Sequence, residues 1–231
     1  MSDKTPGPVC VTKCGPGWID TGTMCRSKSK VPAAAGVYVC GASDHKAAQA
    51  VLKTLSNRAI AKIKFEIDSF PVNAAAYARV AELVKSSKIP VVYDASAGTS
   101  AYYYQNQNKL ELGFTVAVTP TKGGLIVHEC THAAFDAYSY SRATVATSEA
   151  AAYIAQCIFV RLNWPGTLGE GERLYNDDEK KDRVFEAAWR IAAGILKGMK
   201  PGASDYASLK KAIIDDPEYP KAESLSGWNG L

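Results

Sequence analysis

Histidine is scarce in this chain: three in 231 residues, at positions 45, 128 and 132, with none downstream of His132. Long apolar runs are missing too. Nothing approaches 18 consecutive apolar residues, so no membrane-spanning helix is expected. The charge balance is mild, at +4, and no dense Lys/Arg block occurs, which removes the usual electrostatic footprint of a nucleic-acid binder. The opening residues Met1-Ser2-Asp3-Lys4-Thr5-Pro6 contain no apolar core of the kind a Sec signal peptide requires. Internal repeats and low-complexity stretches are also lacking. What remains is an ordinary globular composition, 47% hydrophobic and 22% charged, long enough for one large domain or a domain with a small appendage.

Two of the three histidines stand four apart, in Leu125-Ile126-Val127-His128-Glu129-Cys130-Thr131-His132-Ala133. On an α-helix, positions i and i+4 share a face, so both imidazoles can reach one ion at about 2.0–2.1 Å. Glu129 is offset from that row, yet close enough to take a proton from a water made acidic by the metal. With three His and eleven Glu in the chain, chance would produce H-E-x-x-H roughly 0.002 times per chain of this composition. The bland alternative is a helix whose two histidines merely share a face. Cys130 points about 200° away from His128 and is not counted as a ligand.

The surroundings support the metal reading. Gly113-Phe114-Thr115-Val116-Ala117-Val118 is β-branched and aromatic and reads as a strand. Thr119-Pro120 then supplies a helix cap and first-turn residue. A hydrolytic zinc site needs a third protein ligand and a fourth position left to water. Glu149 opens an alanine-rich helical stretch, Thr147 to Gln156, after a polar turn from Ser139 to Thr144 that suits an antiparallel return. Its alternative role is a first-turn glutamate favouring the helix dipole. Asp136, four residues beyond His132, is either a hydrogen-bond partner for a ligand histidine or a polar residue near the helix end.

These residues resemble the gluzincin branch of zinc metallopeptidases. His128-Glu129-Cys130-Thr131-His132-Ala133-Ala134-Phe135-Asp136 is similar to the thermolysin-like H-E-L-T-H-A-V-T-D, over a resemblance confined to about residues 109–160. It implies His128, His132 and Glu149 as zinc ligands, Glu129 as general base, and a sheet-edge strand above the metal helix that pairs with substrate backbone. The chain departs from the family pattern in two places. Tyr153 stands where thermolysin-like enzymes carry an aspartate, and no downstream histidine exists to stabilise the oxyanion. That task falls to zinc with a tyrosine or arginine. Tyr153, Tyr138, Tyr140, Arg142 and Arg183 are the candidates, and Tyr153 is carried forward as the second catalytic residue.

Elsewhere, residues 1–32 read as a cysteine-bearing N-terminal extension and residues 33–231 as the main domain. Cys10, Cys14 and Cys25, with Cys40 as a fourth partner, are read first as a disulfide-closed loop. A structural zinc site, lacking the C-x2-C knuckle, and free thiols in a cytosolic tail are the rivals. Cys130 and Cys157 either form a disulfide tying the two metal helices or pack as small hydrophobes. From 34 to 95, strands (36–41, 60–67, 89–93) alternate with helices (44–55, 72–84), with His45 at a helix start. Ala101 to Leu112 reads as a hairpin with a polar tip, Gln105 to Asn108, and Tyr102, Tyr103 and Tyr104 available to a cleft. A glycine-rich loop at 163–172, an amphipathic helix at 177–199 and a last helix at 206–214 follow, ending in an extended tail from Pro217.

The expectation is therefore an α+β fold: a mixed or antiparallel sheet whose edge hairpin packs on the active-site helix, with a helical C-terminal half, in a minimal zincin-like arrangement. Its expected work is zinc-dependent hydrolysis of a protein or peptide substrate by metal-activated water. A zinc hydrolase acting on a non-peptide amide, and an inactive zincin-fold binding protein, are the alternatives. Six cysteines and the overall texture point to a secreted, periplasmic or delivered bacterial effector or toxin.

Overall fold

Polar side chains that compete with the backbone mark where the helices begin. The computed structural model describes residues 44–165, 179–228 and 230, and two short strands nearer the N-terminus. The chain divides into two compact units, Met1–Ser43 and Asp44–Leu231. In the first, β1 (Trp18–Asp20) pairs antiparallel with β2 (Cys25–Ser27). Cys10, Cys14, Cys40 and the expected strand 36–41 lie outside the described residues, and Cys25 is described only as backbone of β2.

In the second unit, Asp44 accepts from the N–H groups of Lys46 and Ala47 and so starts α1 (His45–Leu55). β3 (Lys64–Ile67) and β4 (Phe70–Asn73) form a tight antiparallel hairpin. Asn73 then caps α2 (Ala74–Lys85). The expected helix from 72 thus yields its first residues to a strand, because Asn73 is extended and its side chain accepts the Ala75 and Ala76 N–H groups that the first turn leaves without partners. The hairpin turn holds Asp68 and Ser69 at φ +47° and +69°, a left-handed pair usually given to Asn-Gly. Tertiary contacts secure it: Asp68 Oδ2 accepts from Thr147 Oγ1 at 2.6 Å and Lys210 Nζ at 2.7 Å.

Partial burial works to raise the Asp68 carboxyl, but the bonds from Lys210 and Thr147 outweigh it and hold the group below the usual carboxylate range. The stability it contributes is present above the unfolded aspartate value and lost as pH falls through the depressed folded value. Asp68→Asn keeps a residue that tolerates the turn and still accepts from Thr147. It is expected to lower the melting temperature slightly at pH 7, by no more than about 1 kcal/mol equivalent for so exposed a pair. Thermal melts should show the difference shrink as pH falls through the depressed folded value.

β5 (Val91–Tyr93), β6 (Ala101–Tyr104) and β7 (Lys109–Leu112) make a mixed three-stranded sheet in the order β5-β7-β6, with β5 parallel and β6 antiparallel to β7. β6 is an edge, and its hairpin tip is the expected polar Gln105–Asn108 turn, with Asn108 left-handed at φ +47°. One expectation fails here. Residues 113–118 form no strand, because Gly113 passes so close to Gly98 that an added Cβ would meet its carbonyl oxygen. The chain then leaves the sheet, and β-branched residues without a partner strand have no ladder to join.

Thr119 caps α3 (Pro120–Ala137), with Pro120 in the first turn, and Thr144 caps α4 (Val145–Asn163). Both helices are buried on nearly all sides, from Ile126 to Asp136 and from Ala150 to Val160 except Tyr153, as befits central helices. α5 (Glu179–Leu196) turns Val184, Ala188 and Ile191 to the core. The helix expected to run to 199 ends at Leu196, and Met199 beyond it is 64% exposed. α6 (Ala203–Ile214) follows.

The segment after α6 is not an extended tail. It folds back so that the carbonyls of Ser224 and Ala222 accept from Val145 and Ala146 N–H at 2.9 and 2.8 Å. First-turn N–H groups have no partner within their own helix, so α4 offers a ready dock. Cys130 and Cys157 are buried free thiols rather than a disulfide. Most of the glycine-rich loop lies outside the described residues.

Candidate metal centre

The i, i+4 spacing of His128 and His132 brings both rings to one face of α3, and α4 supplies the opposing groups. The two helices run antiparallel, as His132 meets Ser148 while Gly124 meets Gln156 and Val160. Gly124 permits this approach: an added Cβ would stand 3.0–3.1 Å from Val160 and Gln156 carbons. His128 Nε2 lies 3.2 Å from Glu149 Oε2, and His132 Nε2 lies 3.4 Å from Glu149 Oε1. All three ligand atoms fall within 4.8 Å of one another, close enough to hold a metal ion. Two donors each about 2.0–2.1 Å from a tetrahedral ion stand about 3.3–3.4 Å apart. The two histidine–glutamate separations, one to each carboxylate oxygen, are close to that figure.

The other ring nitrogens are engaged, which turns each Nε2 inward. His128 Nδ1 lies 3.0 Å from Gln156 Oε1, and His132 Nδ1 lies 2.8 Å from Ser148 Oγ. Gln156 Oε1 can only accept, which selects for His128 the tautomer whose lone pair sits on Nε2, and the Ser148 hydroxyl can take the same part for His132. Neither partner was foreseen from sequence, since both sit on α4 among small apolar residues and depend on how two helices register. The position considered for Asp136 is thereby filled by others. Asp136 is fully buried and accepts from Tyr103 Oη at 2.8 Å and Gly230 N–H at 3.2 Å. Gln156→Ala, and separately Ser148→Ala, is expected to weaken metal affinity about 10- to 100-fold, measured by competition with a chromogenic chelator.

Glu129 lies beside the three donors without being one of them. Its Oε2 accepts from the Tyr103 backbone N–H at 2.7 Å, a group on the outward side of edge strand β6. Burial pushes the Glu129 carboxyl up to about 7, with the Glu149 charge adding to the rise and His128 and the Tyr103 N–H opposing it. Burial would also raise Glu149, but the facing His132 and His128 imidazoles outweigh it and hold that carboxyl well below the usual range. The two glutamates thus differ in character: one stays charged against the imidazoles, and the other is poised near neutrality.

The open side of the site is a cleft of about 430 Å³, lined by Tyr102, Tyr103, Tyr104, Tyr219 and Trp228 as well as the donor residues. The three hairpin tyrosines therefore line the cleft. Tyr153 packs edge-on to His128 at 4.7 Å between centroids, and its hydroxyl lies 3.0 Å from that of Tyr219. Tyr219, rather than Tyr153, faces the cleft. Burial and the neighbouring Glu149 charge raise its phenol well above the ordinary tyrosine value, so it keeps its proton. Trp228 stacks on His132 at 6.0 Å. Both residues come from the segment after α6, where no periodic pattern announced them. Tyr138 and Tyr140 stack on each other away from the cleft, and Arg142 and Arg183 are exposed.

No protein-family model matches this chain, and no curated protein or solved structure resembles it at a significant level.

Proposed function

We propose that this chain is a zinc-dependent peptidase of the gluzincin type, with His128, His132 and Glu149 holding the ion and Glu129 carrying the proton. The observation that supports it most strongly is the 3.2 and 3.4 Å spacing of two imidazoles about one carboxylate, beside a glutamate that is not a ligand. Zinc held by two histidines and a carboxylate supplies Lewis acidity, lowering the pKa of water toward about 7.

The chain's own residues do the remaining work. The Tyr103 N–H fixes one Glu129 oxygen, leaving the other to take a proton from attacking water and deliver it to the departing nitrogen. Tyr219 donates its hydroxyl proton toward charge developing on the carbonyl oxygen, and Tyr153 backs it through the shared hydrogen bond. Edge strand β6 favours a peptide over an isolated amide, since an extended backbone can add to it as a further strand.

The direct test is metal content together with cleavage of an unstructured protein, against a matched panel of non-peptide amides. Metal present with no cleavage of either class would defeat the proposal. Tyr219→Phe is expected to lower kcat by up to about 10²-fold with little change in KM or metal content. Tyr153→Phe should cost less, because its hydroxyl only supports the one that faces the cleft.

A further inference from the structure

A second concavity lies at the other end of α4. It measures about 630 Å³ and runs between α1, residues 115–118 and the end of α4 at Phe159, Asn163 and Trp164. It shares no lining residue with the cleft above the metal centre. Along α4, from Glu149 to Trp164, the two are separated by about 20 Å at 1.5 Å per residue.

One wall is the stretch that leaves the sheet. Past the bend at Thr115 the burial alternates, with Thr115 and Ala117 half-buried and Val116 and Val118 exposed by 54% and 69%, while Phe114 before the bend is buried. No backbone N–H or C=O of residues 114–118 takes a hydrogen bond among the described residues. Exposed β-branched side chains beside backbone groups unpaired among the described residues make a template for one more strand.

The opposite wall carries charge of one sign. Lys46 and Lys53, seven positions apart on the same face of α1, are the only ionisable residues lining the concavity among the described residues. Neither has an acidic partner among the described residues. A ligand satisfying both walls needs a peptide backbone on one side and carboxylates on the other. Single-stranded nucleic acid would meet the lysines but leave the row of amides and carbonyls unpaired.

We propose that this groove is a docking site for an extended acidic segment of a protein partner, which adds as a strand to residues 114–118 and sets its carboxylates against Lys46 and Lys53. The site works independently of the metal centre, so a peptidase that used it would hold its substrate at two places.

The test is fluorescence anisotropy of a labelled short peptide alternating Glu with Val and Thr, titrated with the full chain and checked intact by mass spectrometry. A matched peptide with Lys in place of Glu and a labelled oligothymidylate serve as comparisons. Saturable binding of the Glu peptide, with the Lys peptide at least about tenfold weaker, is expected. The double substitution Lys46→Glu with Lys53→Glu should reverse that preference, and Ala117→Pro should weaken both peptides, with melting curves unchanged. Cleavage of a short unstructured peptide should be untouched by the lysine changes. Equal binding of both peptides, tighter binding of the oligonucleotide, or loss of peptide binding on chelating the metal would each overturn the proposal. Since binding is read without turnover, its failure would leave the peptidase reading standing.

Discussion

Replacing Glu129 with glutamine is expected to cut peptide cleavage by about 10²- to 10⁴-fold while leaving bound metal unchanged. Glutamine preserves the size of the side chain and an oxygen that can accept from the Tyr103 N–H. What disappears is the ability to take a proton and hand it on. Since Glu129 is absent from the trio whose ligand atoms converge, its replacement leaves the donor set intact. Metal analysis and cleavage assays on the same preparations separate the two effects. Undiminished cleavage by the variant would remove Glu129 from the proton path. Metal loss in step with activity would make it a ligand rather than a base.

Glu149→Ala is expected to have the second large effect, on the metal itself. Truncation removes the only carboxylate among the converging donors, leaving two imidazoles and an incomplete set. Affinity should fall well beyond the 10- to 100-fold that loss of an outer hydrogen-bond partner costs, and cleavage should vanish with it. Glu149→Gln is the sharper control. It retains the shape and a hydrogen-bond acceptor but not the charge that the facing imidazoles favour. Full metal content in both variants, measured by mass spectrometry of the native protein, would show that the ion sits elsewhere.

These outcomes rest on features of unequal visibility in sequence. His128 and His132 were legible because helical periodicity fixes the relation of positions four apart, whatever the rest of the fold does. Glu149 was legible less directly, through a polar turn of suitable length between two helical stretches. Ser148 and Gln156 were not, because their contact with His128 and His132 depends on α3 and α4 approaching closely at Gly124. The stretch 113–118 departs from its expected strand for the converse reason. Its residues prefer a pleated neighbour, and the backbone crossing at Gly98 carries them away from one.

Local sequence, then, determined the helices with their caps at Asp44, Asn73, Thr119 and Thr144, the β6–β7 hairpin, and the row of donors on α3, since each depends on bonds spanning a few residues. Tertiary structure alone decided the remainder of the site. Tyr219 and Trp228 reach the cleft because the first turn of α4 has N–H groups in need of acceptors and the segment after α6 supplies them. That match joins residues far apart along the chain, and no pattern within either stretch encodes it.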